Sequence, residues 1–539
     1  MTQKKTLAKK LVAIPFILFS VTAFSQNLNL GEIHGNFQAD PKYYIPDSTI
    51  GADTVPEKLL MNGYLNMNYT RGNISAGLRY ESYLNTLQGF DPRYKGNGIP
   101  FRYITYTTED LEITAGNFYD QFGNGLIFRS YWEPDLGLDN AMDGLRIKYS
   151  PWKGIALKGW IGKQRFFFTT SGLVRGLDAE VNINEAIPKL SEKKMRVILG
   201  GSFVSKFQED NDPGLVLPEN VGAYAGRIFI SKEKINLNAE YAYKINDPSA
   251  ANNLTYRNGS GLIINTSYSQ KGFGVSVGGK RIENMSYKSD RNETGTPLYI
   301  NYVPGFNKQH AYSLLAFYPY AVQPNGEMGY QAELNYKVKK ETPLGGKYGM
   351  DIAINYSAVY GLDTTQLNPV NDSARMGYTS NYAGIGTQYF EDVNVEINKK
   401  FNQKVKATFV YSYQTYNMEI IQGLGEAPAI FSHIGMVDLT YKNKDDHAFR
   451  FEVQGLMSNY SMNDSTAWNR FKIGKDWVQV LVEHTFGNWF VSVMDLYNYN
   501  NPYTNKRLHY YNAAAGYTKN TTRIAVNYGR TRSGIFCVG

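Results

Sequence analysis

One cysteine in 539 residues excludes a disulfide framework. The six histidines, His34, His310, His433, His447, His484 and His509, show no metal-ligand spacing such as His-Glu-x-x-His. No Ser nucleophile elbow is expected, and the phosphate-loop look of Gly274 to Lys280 fails because Arg281 stands where Ser or Thr is required and the stretch lies within an alternating strand rather than before a helix. No enzyme, cofactor or metal site is therefore expected. After residue 25 no stretch reaches the ~18 apolar residues of a membrane-spanning helix, which excludes a helical membrane protein. Linkers and low-complexity tracts are missing too, and charged residues make up only 19%. One continuous architecture is the simpler reading.

Tyr (43) and Gly (51) take the place of the residues that fill helical domains, which favours strands and turns. The first residues read as a processing segment. Lys4, Lys5, Lys9 and Lys10 precede the apolar run Leu11 to Phe19, and Ala23-Phe24-Ser25 places small residues before a cut near Gln26. No Cys stands at that junction, which argues against a lipid anchor. Losing four lysines and no acids lowers the formal charge from +8 to +4, too little over so long a chain to suggest nucleic acid as a partner. An exported chain of this kind is a periplasmic protein, a secreted β-protein or an outer-membrane barrel.

Period two decides among these. Leu65, Met67 and Tyr69 alternate with Asn66, Asn68 and Thr70; after Arg71-Gly72-Asn73, Ile74, Ala76, Leu78 and Tyr80 alternate with Ser75, Gly77, Arg79 and Glu81. The same pattern recurs at Leu111 to Ala115, Leu177 to Ile183, Ile235 to Tyr241, Tyr330 to Tyr336, Val393 to Ile397 and Phe449 to Val453. Short polar turns (Thr108 to Asp110, Ser231 to Lys234, Gln270 to Gly272, Lys442 to Asp446, Phe486 to Asn488, Lys519-Asn520) alternate with longer stretches. The longer ones are Asp40 to Lys58, Asp120 to Asp143, Phe207 to Val221, Asn284 to Gln309, Leu362 to Tyr382 and Ser458 to Arg470. Alternation over roughly 9–11 residues suits a tilted strand crossing a bilayer. Aromatics such as Tyr149, Trp152, Tyr441, Trp477, Trp489 and Tyr528 gather at strand ends, as at a lipid boundary.

The expected fold is all-β: a large transmembrane up-and-down antiparallel barrel of about 22–24 strands, with short periplasmic turns and long outer loops. Residues 1–25 are the expected signal peptide and 26–539 a single outer-membrane domain. Closure of the sheet turns its polar face inward. Arg79, Glu81, Glu112, Lys158, Asp178, Glu180, Glu240, Lys280, Glu333, Asp351, Arg450 and Arg523 are the expected lumen-lining residues. Both signs are interspersed, so no single-sign field selects ions.

Two regions are irregular. Gly116 to Arg146 carries paired glycines suited to a loop folded into the lumen, with Phe122, Gly123, Arg129, Asp135, Asp139 and Asp143 as constriction candidates. The three aspartates recur every four residues, but not in EF-hand spacing, and no metal is assigned. Tyr299 to Glu327, with Pro304 and Pro319, is expected to be a folded outer loop or part of a plug.

The series Gly116-Asn117, Phe122-Gly123, Arg129, Asp143-Gly144-Leu145 and Gln164-Arg165 resembles a pattern in porin-like and polysaccharide-export barrels. With Gln323 to Gly326 and the ending Ser533 to Cys537, the whole chain looks like an uncharacterised family of Bacteroidota outer-membrane barrels. That resemblance implies fold and location, not a substrate. Expected partners are outer-membrane lipids and an unspecified polar solute or protein; the oligomeric state stays open. Passage of a polar solute is the first functional expectation. A plugged barrel serving a surface-secretion or motility assembly is the second. The lone Cys537 two residues before the end suggests a missing closing strand, which would make about 23 strands an even 24.

Overall fold

The computed structural model describes residues 31–444 and 446–532. The expected signal segment 1–25, the cut near Gln26 and the Ser533 to Cys537 ending lie outside the described residues.

Strands dominate from one end to the other. The first group is β1 (Glu32–Tyr43), β2 (Leu59–Arg71), β3 (Ile74–Tyr83), β4 (Gly96–Thr107), β5 (Leu111–Phe118), β6 (Trp132–Glu133), β7 (Leu138–Asp139), β8 (Met142–Trp152) and β9 (Ile155–Phe166). Next come β10 (Thr169–Asn182), β11 (Met195–Phe207), β12 (Asn220–Lys232), β13 (Ile235–Lys244), β14 (Gly259–Gln270), β15 (Phe273–Glu283), β16 (Gly326–Val338) and β17 (Met350–Gln366). The last are β18 (Tyr378–Lys400), β19 (Val405–Asn417), β20 (Ala429–Lys444), β21 (His447–Tyr460), β22 (Trp477–Phe486), β23 (Trp489–Tyr497), β24 (His509–Lys519) and β25 (Thr522–Gly529). The short β6 and β7 pair with each other; the other strands form one 23-stranded sheet. Each wall strand pairs antiparallel with the next, β5 passing directly to β8. This is the up-and-down, all-β architecture that the alternation predicts.

Two-residue turns set the register at one end of the sheet. Gly72, Gly272 and Gly487 take left-handed backbone there, the geometry that lets a tight hairpin follow the twist of its strands. The strict short-long rhythm has exceptions. The β9–β10 connection at the long-loop end is only Phe167-Phe168, and residues 183–194 and 339–349 make longer connections at the short-turn end. The stretch Leu362 to Tyr382 is mostly strand, because β17 and β18 continue their ladder, with bulges near Tyr360 and Leu362, as far as the Gln366–Tyr378 pair.

The sheet is curled nearly to closure. Laid flat, 23 strands about 4.8 Å apart would separate β1 from β25 by roughly 105 Å. Yet Arg530, just past β25, forms an ion pair with Asp47, just past β1, at 2.6 Å. Because 23 antiparallel neighbours make an odd series, β1 and β25 run in the same direction. No ladder joins them among the described residues.

Curling gives the two faces of each strand different surroundings. On β10, Leu177 points outward and is 61% exposed, while its neighbour Asp178 points inward and is 6% exposed. Inside, two apolar clusters form where internal segments meet the wall. One includes Phe122, Ile127, Phe128, Trp160, Ile282 and Ile300; the other includes Leu314, Phe317, Tyr416, Ile434 and Trp477. Trp477 therefore does not belong to an outer aromatic band, as expected from its place at a strand end. It shares the inward parity of Gln479 and packs under Phe317 at 5.2 Å between ring centroids. Trp152 and Trp489, by contrast, are exposed on the outward face.

Candidate functional site: a lumen filled by two internal segments

Residues 119–141, between β5 and β8, and residues 284–325, between β15 and β16, lie inside the curled sheet. Their contacts leave no other place for them. The Tyr299 carbonyl accepts from Gln164 Nε2 of β9 at 2.6 Å, and Ser313 Oγ donates to Gln479 Oε1 of β22 at 2.5 Å. The fifteen residues from Tyr299 to Ser313 thus bridge opposite sides of the wall. The segments also meet each other: Arg129 N donates to the Ile300 carbonyl and Tyr302 N to the Gly125 carbonyl, both at 2.9 Å.

The sequence prepares the entry of the first segment. Gly116, Gly144 and Gly162 stand in register across β5, β8 and β9. A Cβ at Gly144 would collide with the carbonyl oxygen of Ile161, so the tight curl of the sheet here needs glycine. Beyond Phe118 the chain turns inward. Asp139 reaches Arg79 and Arg165 (2.5 Å to the latter), and Glu81 joins the same two guanidiniums at 2.6 and 2.7 Å. The Tyr119 hydroxyl donates to Asp139 at 3.0 Å, and Arg79 also lies over the Trp132 ring at 3.9 Å. A second ionic group links Asp120 of the segment to Arg146 (3.3 Å) and Lys158 (3.1 Å) of the wall, with Glu112 on Arg146 at 2.7 Å. Glu240 of β13 accepts from the backbone N and the side chain of Asn124 at 2.6 and 2.9 Å. Buried charges in this number persist only when each has partners.

The second segment is held mostly through its backbone. Lys244 donates to the Ser286 carbonyl at 2.6 Å and Lys206 to the Lys288 carbonyl at 2.8 Å, with Asp247 balancing Lys206 at 2.7 Å. Lys280 pairs with Glu327 and donates to the Pro304 carbonyl at 2.6 Å. Gln414 donates to the Leu315 carbonyl, and Gln454 accepts from Leu314 N, both at 2.9 Å. His310 meets Asp392 at 2.6 Å. Lys288 itself donates to the carbonyls of Gly295 and Pro297, and burial pulls its ammonium down to about 8.

The remaining candidates take varied positions. Asp178 and Glu180 bind Arg227 at 2.8 and 3.2 Å. Arg450 binds Asp438 at 2.9 Å and also Glu452. Glu333 accepts from Asn335 at 2.7 Å, Asp351 pairs with Lys337 at 2.8 Å, and Arg523 lies 5.3 Å from the Phe490 ring. Among the loop candidates, Phe122 is buried, Gly123 lies against Glu240, and Arg129 stacks between Tyr131 and Tyr302 at 4.5 and 4.1 Å. Asp135 is the exposed central residue of a single 3-10 turn, Pro134–Leu136. Asp143 is a correction: it belongs to β8, where odd parity turns it outward to pair with Arg102 at 3.1 Å, away from the interior. Sequence reasoning missed Arg146, Arg165, Lys206, Arg227, Lys244 and Asp392. The inward parity of their strands would have found them.

An up-and-down β-barrel filled by its own connections is the class that this fold defines. Residues 7–539 match the family described as "Family of unknown function (DUF6029)", and the chain belongs to that family. No curated protein matches the sequence. Among solved structures, the chain is similar to the outer membrane protein OprD from Pseudomonas aeruginosa, at 11% identity and TM-score 0.34, covering 87% of this chain and 93% of that one. It is similar to the outer membrane protein opdK from Pseudomonas aeruginosa, at 11% identity and TM-score 0.37, covering 76% and 96%. It is also similar to a mutant of the ferric enterobactin receptor PfeA from Pseudomonas aeruginosa, at 12% identity and TM-score 0.42, covering 86% and 74%.

Proposed function

We propose that this chain is a porin-like barrel of the bacterial outer membrane, closed at rest by residues 119–141 and 284–325, and that it passes a polar solute when a segment shifts. One observation carries the reading: along the same strands, large apolar side chains are exposed outward while charged and amide side chains are buried inward, as with Leu177 and Asp178 on β10 or Val482 and Gln479 on β22. A continuous outward apolar band is unfavourable in water and at home in hydrocarbon. Below the segments the lumen keeps a cavity of about 340 Å³ bordered by Asn236, Asn238, Asn265, Ser276 and Gln331, an uncharged polar lining. This lining favours uncharged polar solutes.

Fractionation and liposome swelling test the reading. The chain is expected in the outer-membrane fraction, with a heat-dependent gel shift. Swelling in small sugars should be slow for the native chain and faster for Lys206→Met/Lys244→Met, which loses two ties to the second segment. Recovery in the soluble periplasmic fraction would overturn the barrel. A second reading, a permanently plugged scaffold, is favoured by the ties of the second segment to strands on opposite sides of the wall. Equal, negligible swelling of both proteins would favour it.

A further inference from the structure

At the long-loop end, a cavity of about 750 Å³ lies between residues 250–258, which join β13 to β14, and residues 366–378, which join β17 to β18. Its size falls within the usual range for ligand sites. The two loops are locked together. Tyr256 N donates to the Arg375 carbonyl at 3.0 Å, and Arg257 Nη1 to the Tyr378 carbonyl at 2.8 Å. Asn284 and Asn325, at the two ends of the second internal segment, complete the floor.

Two features set this cavity apart. Asn253, Leu254, Asn284 and Arg375 all have left-handed backbone, four of the thirteen such non-glycine residues among those described, gathered on one lining. Leu254 has no side-chain group to offset the cost, and such strain concentrates where a ligand is held. The second feature is unused hydrogen-bonding capacity. The Tyr378 hydroxyl is buried without a partner, and no side-chain partner occurs among the described residues for Asn253, Gln366 or Ser373.

Charge narrows the ligand. Asp372 spends both carboxylate oxygens on Met376 N (2.9 Å) and Gly377 N (2.6 Å), and Glu283 nearby is taken by Arg257, Arg281 and Ser380. Arg375 reaches into the cavity lining with no carboxylate among the described residues to meet it. Amides and hydroxyls match vicinal hydroxyl groups, and a free guanidinium matches a carboxylate. We propose that this cavity binds an acidic, hydroxyl-rich ligand, an oligosaccharide bearing carboxylate groups. The inference rests on the barrel reading only for the side of the membrane that the cavity faces.

Titration calorimetry on the full chain in detergent, with oligogalacturonate and maltohexaose as probes, tests it. Oligogalacturonate should bind at least tenfold more tightly than maltohexaose. Arg375→Asn, which suits left-handed backbone, should weaken it about tenfold, the effect of ~1.4 kcal/mol, and Gln366→Ala, on the exposed rim, should weaken both sugars. Equal affinity for the two sugars, indifference to Arg375→Asn, or no heat from either sugar at millimolar concentration would each overturn the proposal. The gel shift of the same samples reports separately on the barrel.

Discussion

Residues 119–141 meet the wall charge to charge, whereas residues 284–325 meet it largely through their own peptide groups. In the first segment the carboxylates of Asp120 and Asp139 face wall cations. In the second, wall lysines and glutamines donate to carbonyls at Ser286, Lys288, Tyr299, Pro304 and Leu315. The difference matters for release. Removing one member of a buried ionic group leaves its partners uncompensated, while removing one amide donor leaves a single carbonyl that water can reach once the segment moves. The second segment is therefore the easier one to displace. It also presents both of its ends, Asn284 and Asn325, to the outer cavity.

Four measurements examine this contrast, in order of expected effect. Asp139→Ala should be the most damaging change. It leaves Arg79 and Arg165 sharing Glu81 alone, at an expected cost of ~3–5 kcal/mol in unfolding free energy from urea titration. Gln164→Ala and Gln454→Ala should each cost ~1–2 kcal/mol; a loss as large as that of Asp139→Ala would contradict the difference between the segments.

A pH effect should come next. In the folded chain burial pulls Lys288 down to about 8, below the ordinary lysine value near ~10.5. The unfolded chain then holds the extra proton between those two values, so stability of the second segment should rise as pH climbs from about 8 towards 10.5. Lys288→Met should flatten that rise in protease protection of the segment, while the first segment shows no such trend. Smallest of all should be Lys337→Ala, whose exposed pair with Asp351 is worth at most ~1 kcal/mol and fades with salt.

Much of the wall was legible because period two and turn chemistry are local signals. Leu177 and Asp178 show their faces in the sequence alone, and Gly72 and Gly272 mark their hairpins. The errors come from places where parity was not carried through. Trp477 was grouped with boundary aromatics because it begins a strand, and Asp143 was grouped with a loop because it follows one. Counting from Gln479 or Arg146 would have put the first inside and the second outside. The filling of the lumen was only half visible. Prolines and glycines announced irregular backbone at 116–146 and 299–327, but the bond from Gln164 to Tyr299 spans 135 positions and leaves no local trace. The outer cavity was hidden for the same reason, since its lining is drawn from three connections that meet only after the sheet curls.

The account stands on a wall that spans a bilayer and is stoppered from within, and conductance in a planar membrane tests both parts together. The native chain should insert and remain almost silent. A variant with residues 286–322 replaced by a short glycine-serine linker should give steady, ohmic openings. A native chain that conducts steadily, or an inserted variant as silent as the native chain, would contradict it.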